Sequence, residues 1–230
     1  MHPLTSIVIP ILDELEIAGF TAAVSDLLSR ANQAHEIILL NDGSPVTVPG
    51  ATVLPGAHRG KGRAVRDGIL ASRGDVVVVL DADLGALLGH LIPFIEKVRG
   101  EGVDVVMAER DFDLHARKPI RALLSVGLFF AQRLFVFHSF RFFDTQCGFK
   151  AFKGDTARAL AGRQRVEGGM YDIEYLYAAV RNRMRIEKVR VGVVHEQRPS
   201  RLLVLKCMRT DPLALIGIKW RGLRGWYRLQ

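Results

Sequence analysis

Asp81 and Asp83 close the run "VVVVLDADL" with only Ala82 between them. Past an extended run, that spacing aims both carboxylates to one side, because side chains on an extended backbone alternate with a period of two. Acids that close repel unless a cation stands beside them. A divalent ion carrying a diphosphate meets the need, since hard Mg²⁺ or Mn²⁺ prefers carboxylate and phosphate oxygens. The plainer alternative is a solvated loop with incidental acids. A second feature comes earlier, in "HRGKGRAVRDG" (58–68), where backbone amides and Lys61 meet the start of a helix and suit an anion. Its spacing fits neither a P-loop nor GxGxxG, and Gly60 and Gly62 are equally at home as turn glycines.

These residues need a scaffold, and the chain alternates strand and helix signals to provide one. "TSIVIP", "HEIILL", "DVVVVL" and "VDVVMA" read as strands. Between them "ELEIAGFTAAVSDLLSRA", "GRAVRDGILAS" and "LLGHLIPFIEKV" read as helices. Unbroken Val and Ile runs, rather than alternating ones, describe strands covered on both faces, as in a mostly parallel α/β sheet with crossover helices. Ligands of such sheets sit beyond the carboxyl ends of the strands. That rule places "PILDE", "NDGS" and "DAD" along one rim.

Composition bounds the partners. With 230 residues, 49% of them hydrophobic, the chain is long enough for one well-packed α/β domain and too short for two ordinary ones. A net charge of +8 points to an anionic partner such as nucleic acid, a lipid headgroup or a phosphorylated substrate. Cys147 and Cys207 form no CxxC pair and no leader pattern precedes Thr5, so a reducing, cytosolic setting is expected.

"IPILDELE" (9–16), "NDGS" (41–44), "RGKGRAVRDGILASRGDVVVVLDADL" (59–84), "DTQCGFKAF" (144–152) and "YDIEYLYAAV" (171–180) follow one another in an order that resembles the family 2 glycosyltransferases of GT-A fold. Within that family the chain is most similar to the polyprenyl (dolichyl) phosphate mannose and glucose synthases. The resemblance implies a Rossmann-like catalytic domain over residues 1–200. It makes Pro10, Leu12 and Glu14 nucleotide contacts and Asp42 the acid that holds base or ribose. Glu14 reads equally as an acid favouring a helix N-terminus. The resemblance also implies that Lys61, Asp81 and Ala82 pack beside the donor, and that Asp83 is the first metal ligand, with Asp81 as a further metal group or a ribose contact. Arg110 and Arg121 match arginines associated with phosphates, and Arg198, Ser200 and Arg201 match a loop that closes over the diphosphate. Four departures stand out: Leu12 stands where an aromatic is usual, Asn41 replaces the first acid of the usual "DDGS", Gly85 stands where a further metal-binding Gln is usual, and "GALLGH" lacks the "PPE" that normally follows.

The apolar run at 118–140 has a charge-free core, Ala122 to Ala131, shorter than the about 20 residues a bilayer requires. From Arg201 to the end, "LLVLKCM", "PLALIGIKW" and "GWYRL" interleave with Lys and Arg. Both segments suit helices lying in a membrane interface, and both also suit a core helix beside a basic surface helix. No nucleic-acid recognition pattern accompanies them. The expectation is therefore a Mn²⁺- or Mg²⁺-dependent, inverting hexosyltransferase, bound peripherally at the cytosolic face of a membrane. It would move mannose or glucose from GDP-mannose or UDP-glucose to a polyprenyl phosphate. Two alternatives remain: transfer to a hydroxyl of a lipid-linked oligosaccharide or other glycan with Asp144 as base, or a membrane adaptor without activity.

Overall fold

The computed structural model describes residues 3–12, 16–56, 60–100, 102–111, 130, 132–137, 141–192 and 201–229, with the side chains of 134, 135 and 201–209 excepted. Seven strands form one sheet: β1 (Leu4–Ile11), β2 (Ala34–Asn41), β3 (Thr52–Pro55), β4 (Val76–Leu80), β5 (Val105–Glu109), β6 (Phe149–Lys153) and β7 (Ile186–Arg190). Their order is β3-β2-β1-β4-β6-β5-β7. Every neighbouring pair is parallel except those made by β6, which runs against both β4 and β5. Six strands therefore point their carboxyl ends at one rim, and β6 begins there, with Phe149 opposite Leu80.

The helices are α1 (Ile17–Arg30), α2 (Lys61–Ala71), α3 (Leu91–Arg99), α4 (Gly154–Arg163), α5 (Tyr171–Arg181) and α6 (Arg201–Leu223). The apolar runs are continuous because alternate residues feed two cores, one per sheet face. Ile7, Ile9, Val76, Val78 and Phe149 pack with α1 and α3. Val8, Val77, Val79 and Phe152 pack with α2, α4 and α5. Burying a side chain of this size is worth about 1.5–3 kcal/mol, so both faces are committed.

The helix expected from Leu87 divides in two: Gly85–His90 form a 3-10 turn, and α3 begins at Leu91. Of the apolar run at 118–140, the described part includes a π-helical turn at Gln132–Phe137. Val136 of that turn belongs to the core, and Gln132 and Arg133 are buried too. The C-terminal segment also joins this core, through Leu215, Ile218 and Tyr227. Its other face is open: Leu213, Ile216, Trp220 and Leu223 are exposed and fall on one side of α6 at helical spacing.

Candidate active site

The donor half of the rim is built from the ends of β1, β2 and β4. Pro10 is half-buried near the end of β1, and Leu12 just beyond is 63% exposed. Asp42 donates its backbone N–H to the Ile11 carbonyl at 3.0 Å, which ties the two strand ends together. Asn41 turns its amide on its own loop, accepting from the Gly43 N–H at 2.9 Å and donating to the Ser44 carbonyl at 2.7 Å. An acid there could not make the second bond, so the departure from "DDGS" closes a turn in the manner typical of Asn.

Asp81 and Asp83 do not follow an extended backbone, as their spacing suggested. The chain turns immediately after β4, with the Leu84 N–H bonded to the Asp81 carbonyl at 3.1 Å. The turn separates their surroundings: Asp83 is exposed, whereas Asp81 is partly buried with one oxygen, Oδ2, receiving Lys61 Nζ at 2.5 Å. The other oxygen, Oδ1, is buried and meets no hydrogen-bond donor. Ala82, half-buried between them, packs against the core. Gly148 makes room for the carboxylate, since a Cβ there would lie 1.8 Å from Asp81 Oδ2. Burial weighs against the charge on Lys61, yet Asp81, Asp172 and Asp83 more than offset it and raise its pKa above the usual lysine value.

Across the rim, Arg110 follows β5 and grips Asp144 with two side-chain bonds, Nε to Oδ2 at 2.5 Å and Nη2 to Oδ1 at 3.1 Å. The backbone N–H groups of Arg110 and Gln146 add bonds of 3.2 Å each. Burial pushes the Asp144 carboxyl up, but Arg110 and Lys150 hold it below the usual carboxylate range. A fork-to-fork pair of this kind fixes direction as well as charge, so Asp144 aims the guanidinium. Arg133 braces the adjoining turn by donating to the carbonyls of Phe142, at 2.6 Å, and Phe143.

Two residues behind the rim have no part in the sequence reading. Lys150, on β6, donates to Asp172 Oδ1 and to the Cys147 carbonyl, both at 2.6 Å, and the pair is almost wholly buried. Burial pushes Asp172 up against the pull of Lys150 and Lys61. The signal was present in "CGFKAF", where one lysine interrupts an apolar run, and in "YDIEYLY", where two acids interrupt an aromatic and apolar one. Glu14, Arg121, Arg198 and Ser200 lie outside the described residues. So does the side chain of Arg201, which opens α6.

Among the described residues, no group of three or more His, Cys, Asp or Glu side chains could hold a metal ion. The donors that do fit a hard cation are the exposed Asp83 and the unpartnered Oδ1 of Asp81. Gly85 contributes no side chain, so most of a divalent ion's shell would come from phosphate oxygens and water.

A model of the family described as "Glycosyl transferase family 2" matches residues 6–154. The dolichyl-phosphate beta-glucosyltransferase of Drosophila melanogaster is 34% identical over 186 residues, covering 70% of this chain and 56% of that protein. The Homo sapiens protein of the same name is 30% identical over 75% of this chain and 55% of its own length. The Saccharomyces cerevisiae protein is 27% identical over 97% of this chain and 76% of its own. The chain thus spans about half the length of most of the curated relatives it matches. Among solved structures, a UDP complex of glucosyl-3-phosphoglycerate synthase from Mycobacterium tuberculosis superposes with a TM-score of 0.71 at 20% identity, covering 94% of this chain and 80% of that one. A complex of the same synthase with Mn²⁺, UDP and phosphoglyceric acid gives 0.63 at 23% identity, covering 93% and 77%. The mostly parallel α/β architecture expected from the strand runs is the fold these structures share.

Proposed function

The chain belongs to glycosyl transferase family 2, and we propose that it moves glucose from UDP-glucose to a dolichyl or related polyprenyl phosphate. Transfer inverts the reacting carbon, turning an α-linked donor into a β-linked product. One observation carries the reading. An exposed acid, Asp83, stands near an ammonium that Asp81 holds, and along the same strand ends Asp144 aims a guanidinium. The names of the curated relatives favour glucose over mannose, and the UDP complexes favour a uridine donor over a guanosine one.

Glycosyl transfer from a nucleotide sugar builds negative charge on the departing diphosphate. A divalent ion, when bound, supplies Lewis-acid stabilisation there, with Asp83 as its protein ligand and Asp81 beside it. Lys61 adds a fixed positive charge at the start of α2, where helix amides also favour anions. On the other side, the acceptor phosphate is already an anion and needs no general base. Arg110, held by Asp144, suits that phosphate. The bidentate grip on Asp144 supports this assignment over a base that takes a hydroxyl proton.

A peripheral site at the cytosolic face of a membrane completes the proposal. Its support is the open face of α6, where apolar Leu213, Ile216, Trp220 and Leu223 are exposed and the exposed Arg224 lies over the Trp220 ring. Among the described residues no helix is long and apolar enough to cross a membrane. Ile216→Glu with Trp220→Glu should weaken binding to anionic vesicles in a sedimentation assay, and unchanged binding removes α6 from the interface.

The deciding experiment offers UDP-glucose or GDP-mannose, each with Mn²⁺ and polyprenyl phosphate, and scores labelled lipid. Product is expected from UDP-glucose, lost in chelator, and lost in Asp83→Ala with the fold intact. Product from GDP-mannose alone overturns the donor, and full activity in chelator overturns the metal role.

A further inference from the structure

The donor rim is tied to the C-terminal segment by one buried carboxylate that belongs to neither. Glu174, on α5, is 1% exposed and surrounded by donors. Its Oε2 accepts the backbone N–H groups of Arg165 at 3.0 Å and Val166 at 2.7 Å. Its Oε1 accepts the hydroxyl of Tyr227 at 2.5 Å and lies 3.1 Å from the Arg165 N–H. Arg221 Nε in turn donates to the Tyr227 oxygen at 3.0 Å. Trp226 adds a parallel tie, donating its indole N–H to the Arg163 carbonyl at 2.8 Å with the Arg165 guanidinium over its ring. An ionised carboxylate offers about four acceptor positions, and these donors fill them.

The loop that Glu174 grips, residues 164–168, leans on the start of α2. Gln164 Nε2 donates to the Gly62 carbonyl at 2.7 Å, and the Glu167 carbonyl accepts the Arg63 N–H at 3.1 Å. Both glycines there are demanded by the contact. Gly60 has a φ of +112° and a Cβ on it would lie 2.8 Å from the Glu167 carbonyl, while one on Gly62 would lie 2.7 Å from that of Gly168. Lys61, between them, is the residue that reaches Asp81.

We infer that Glu174, set by Tyr227, is a positioning residue for Lys61 and through it for Asp81, so that docking of the C-terminal segment tunes how the site holds its donor. The inference rests on the reading of Lys61 as a donor-side group. It adds a connection that neither motif spacing nor the rim contains: the chain's last turn reaches the diphosphate site through a carboxylate, three backbone amides and a pair of glycines. A buried carboxylate that loses one donor keeps the others but is no longer fixed from the C-terminal side, so the effect on Lys61 is graded.

Tyr227→Phe tests this, because it removes one hydroxyl at nearly constant volume. Isothermal titration with UDP and Mn²⁺ should show affinity weakened about three- to tenfold, the scale of one lost hydrogen bond. Hydrogen exchange should quicken at the amides of Arg63 and Ala64. In a Lys61→Met background the same change should alter UDP affinity less than about twofold, since the two act in series. A merely structural hydroxyl would lower the melting temperature and leave UDP affinity and Arg63 exchange at the wild-type level, or would multiply with Lys61→Met. Either result overturns the inference. Wild-type protein that ignores UDP would sink the donor reading instead, and exchange at Arg63 would then decide the connection alone.

Discussion

Two lysine–aspartate pairs lie behind one rim, and they are built for different ends. Lys61 meets Asp81 at 2.5 Å with 39% and 18% of the two side chains exposed. Lys150 meets Asp172 at 2.6 Å with 2% and 5% of the two side chains exposed. The chemistry and the distance are nearly the same, so solvent is what distinguishes them. Water screens the first pair and lowers the cost of parting it, which suits the donor-side role proposed for Lys61. The second pair is sealed under the β4–β6 ladder and has no cheap alternative to its partner.

The sharpest way to break this contrast is to remove the sealed lysine. Lys150→Met should cost about 3–5 kcal/mol by urea unfolding, because the buried Asp172 carboxylate loses the cation that hydrogen-bonds it. Replacing both residues, Lys150→Met with Asp172→Leu, should recover most of that loss, as apolar substitutes for buried pairs often do. A single variant of wild-type stability would show the two pairs to be equivalent.

A smaller effect is expected at Asp144, which is buried but opens toward the rim. Asp144→Asn should cost about 2–3 kcal/mol, the worth of hydrogen bonds to a charged group. Its folded pKa lies below the usual value, so its contribution is present at neutral pH. That contribution fades as pH falls from the ordinary carboxylate range through the lowered value. Melting temperature followed into acid should therefore fall less steeply in the variant. A parallel acid limb would mean that Arg110 adds nothing through this carboxylate.

The smallest change in stability belongs to Lys61→Met, because its pair is partly open to water while the other two are buried. Its signature should be functional, with donor KM raised about tenfold, as a lost charge-assisted contact implies. Large destabilisation with an unchanged KM would reverse the roles of the two pairs.

The same contrast explains what could be read from the sequence. β1, β2, β4 and β5 were legible because strands buried on both faces are written as local Val and Ile runs. β6 was not, because Lys150 and Lys153 break "FKAFK", and the partner that lets Lys150 be buried arrives only with Asp172 on α5. β7 is an edge strand with alternating polar residues, and β3 is four residues long, so neither carries much pattern. In the site, Asp83 and Asp42 announced themselves beside strand ends. The turn that separates Asp81 from Asp83 did not, because a backbone turn with no glycine or proline at its centre leaves little trace in composition. Glu174 was hidden for a related reason: two of its partners are backbone amides, which every sequence offers equally, and its side-chain partner Tyr227 lies 53 residues away.

The reversed strand has a consequence for how such a molecule can diverge. β5 reaches the rim at Glu109 and β6 leaves it at Phe149, and the two strands are neighbours. Residues 110–148 are therefore an excursion hung from two adjacent posts of a fixed frame, and they carry Arg110, Arg121 and Asp144. Closing a longer excursion costs only about 0.6 kcal/mol for each doubling of its length. Insertions there need not shift the register of any strand, whereas a single residue inserted within β4 would turn the rest of that strand to the opposite face. Natural variation can thus rewrite residues 110–148 while the strand ends beside Asp42, Asp81 and Asp83 stay as they were.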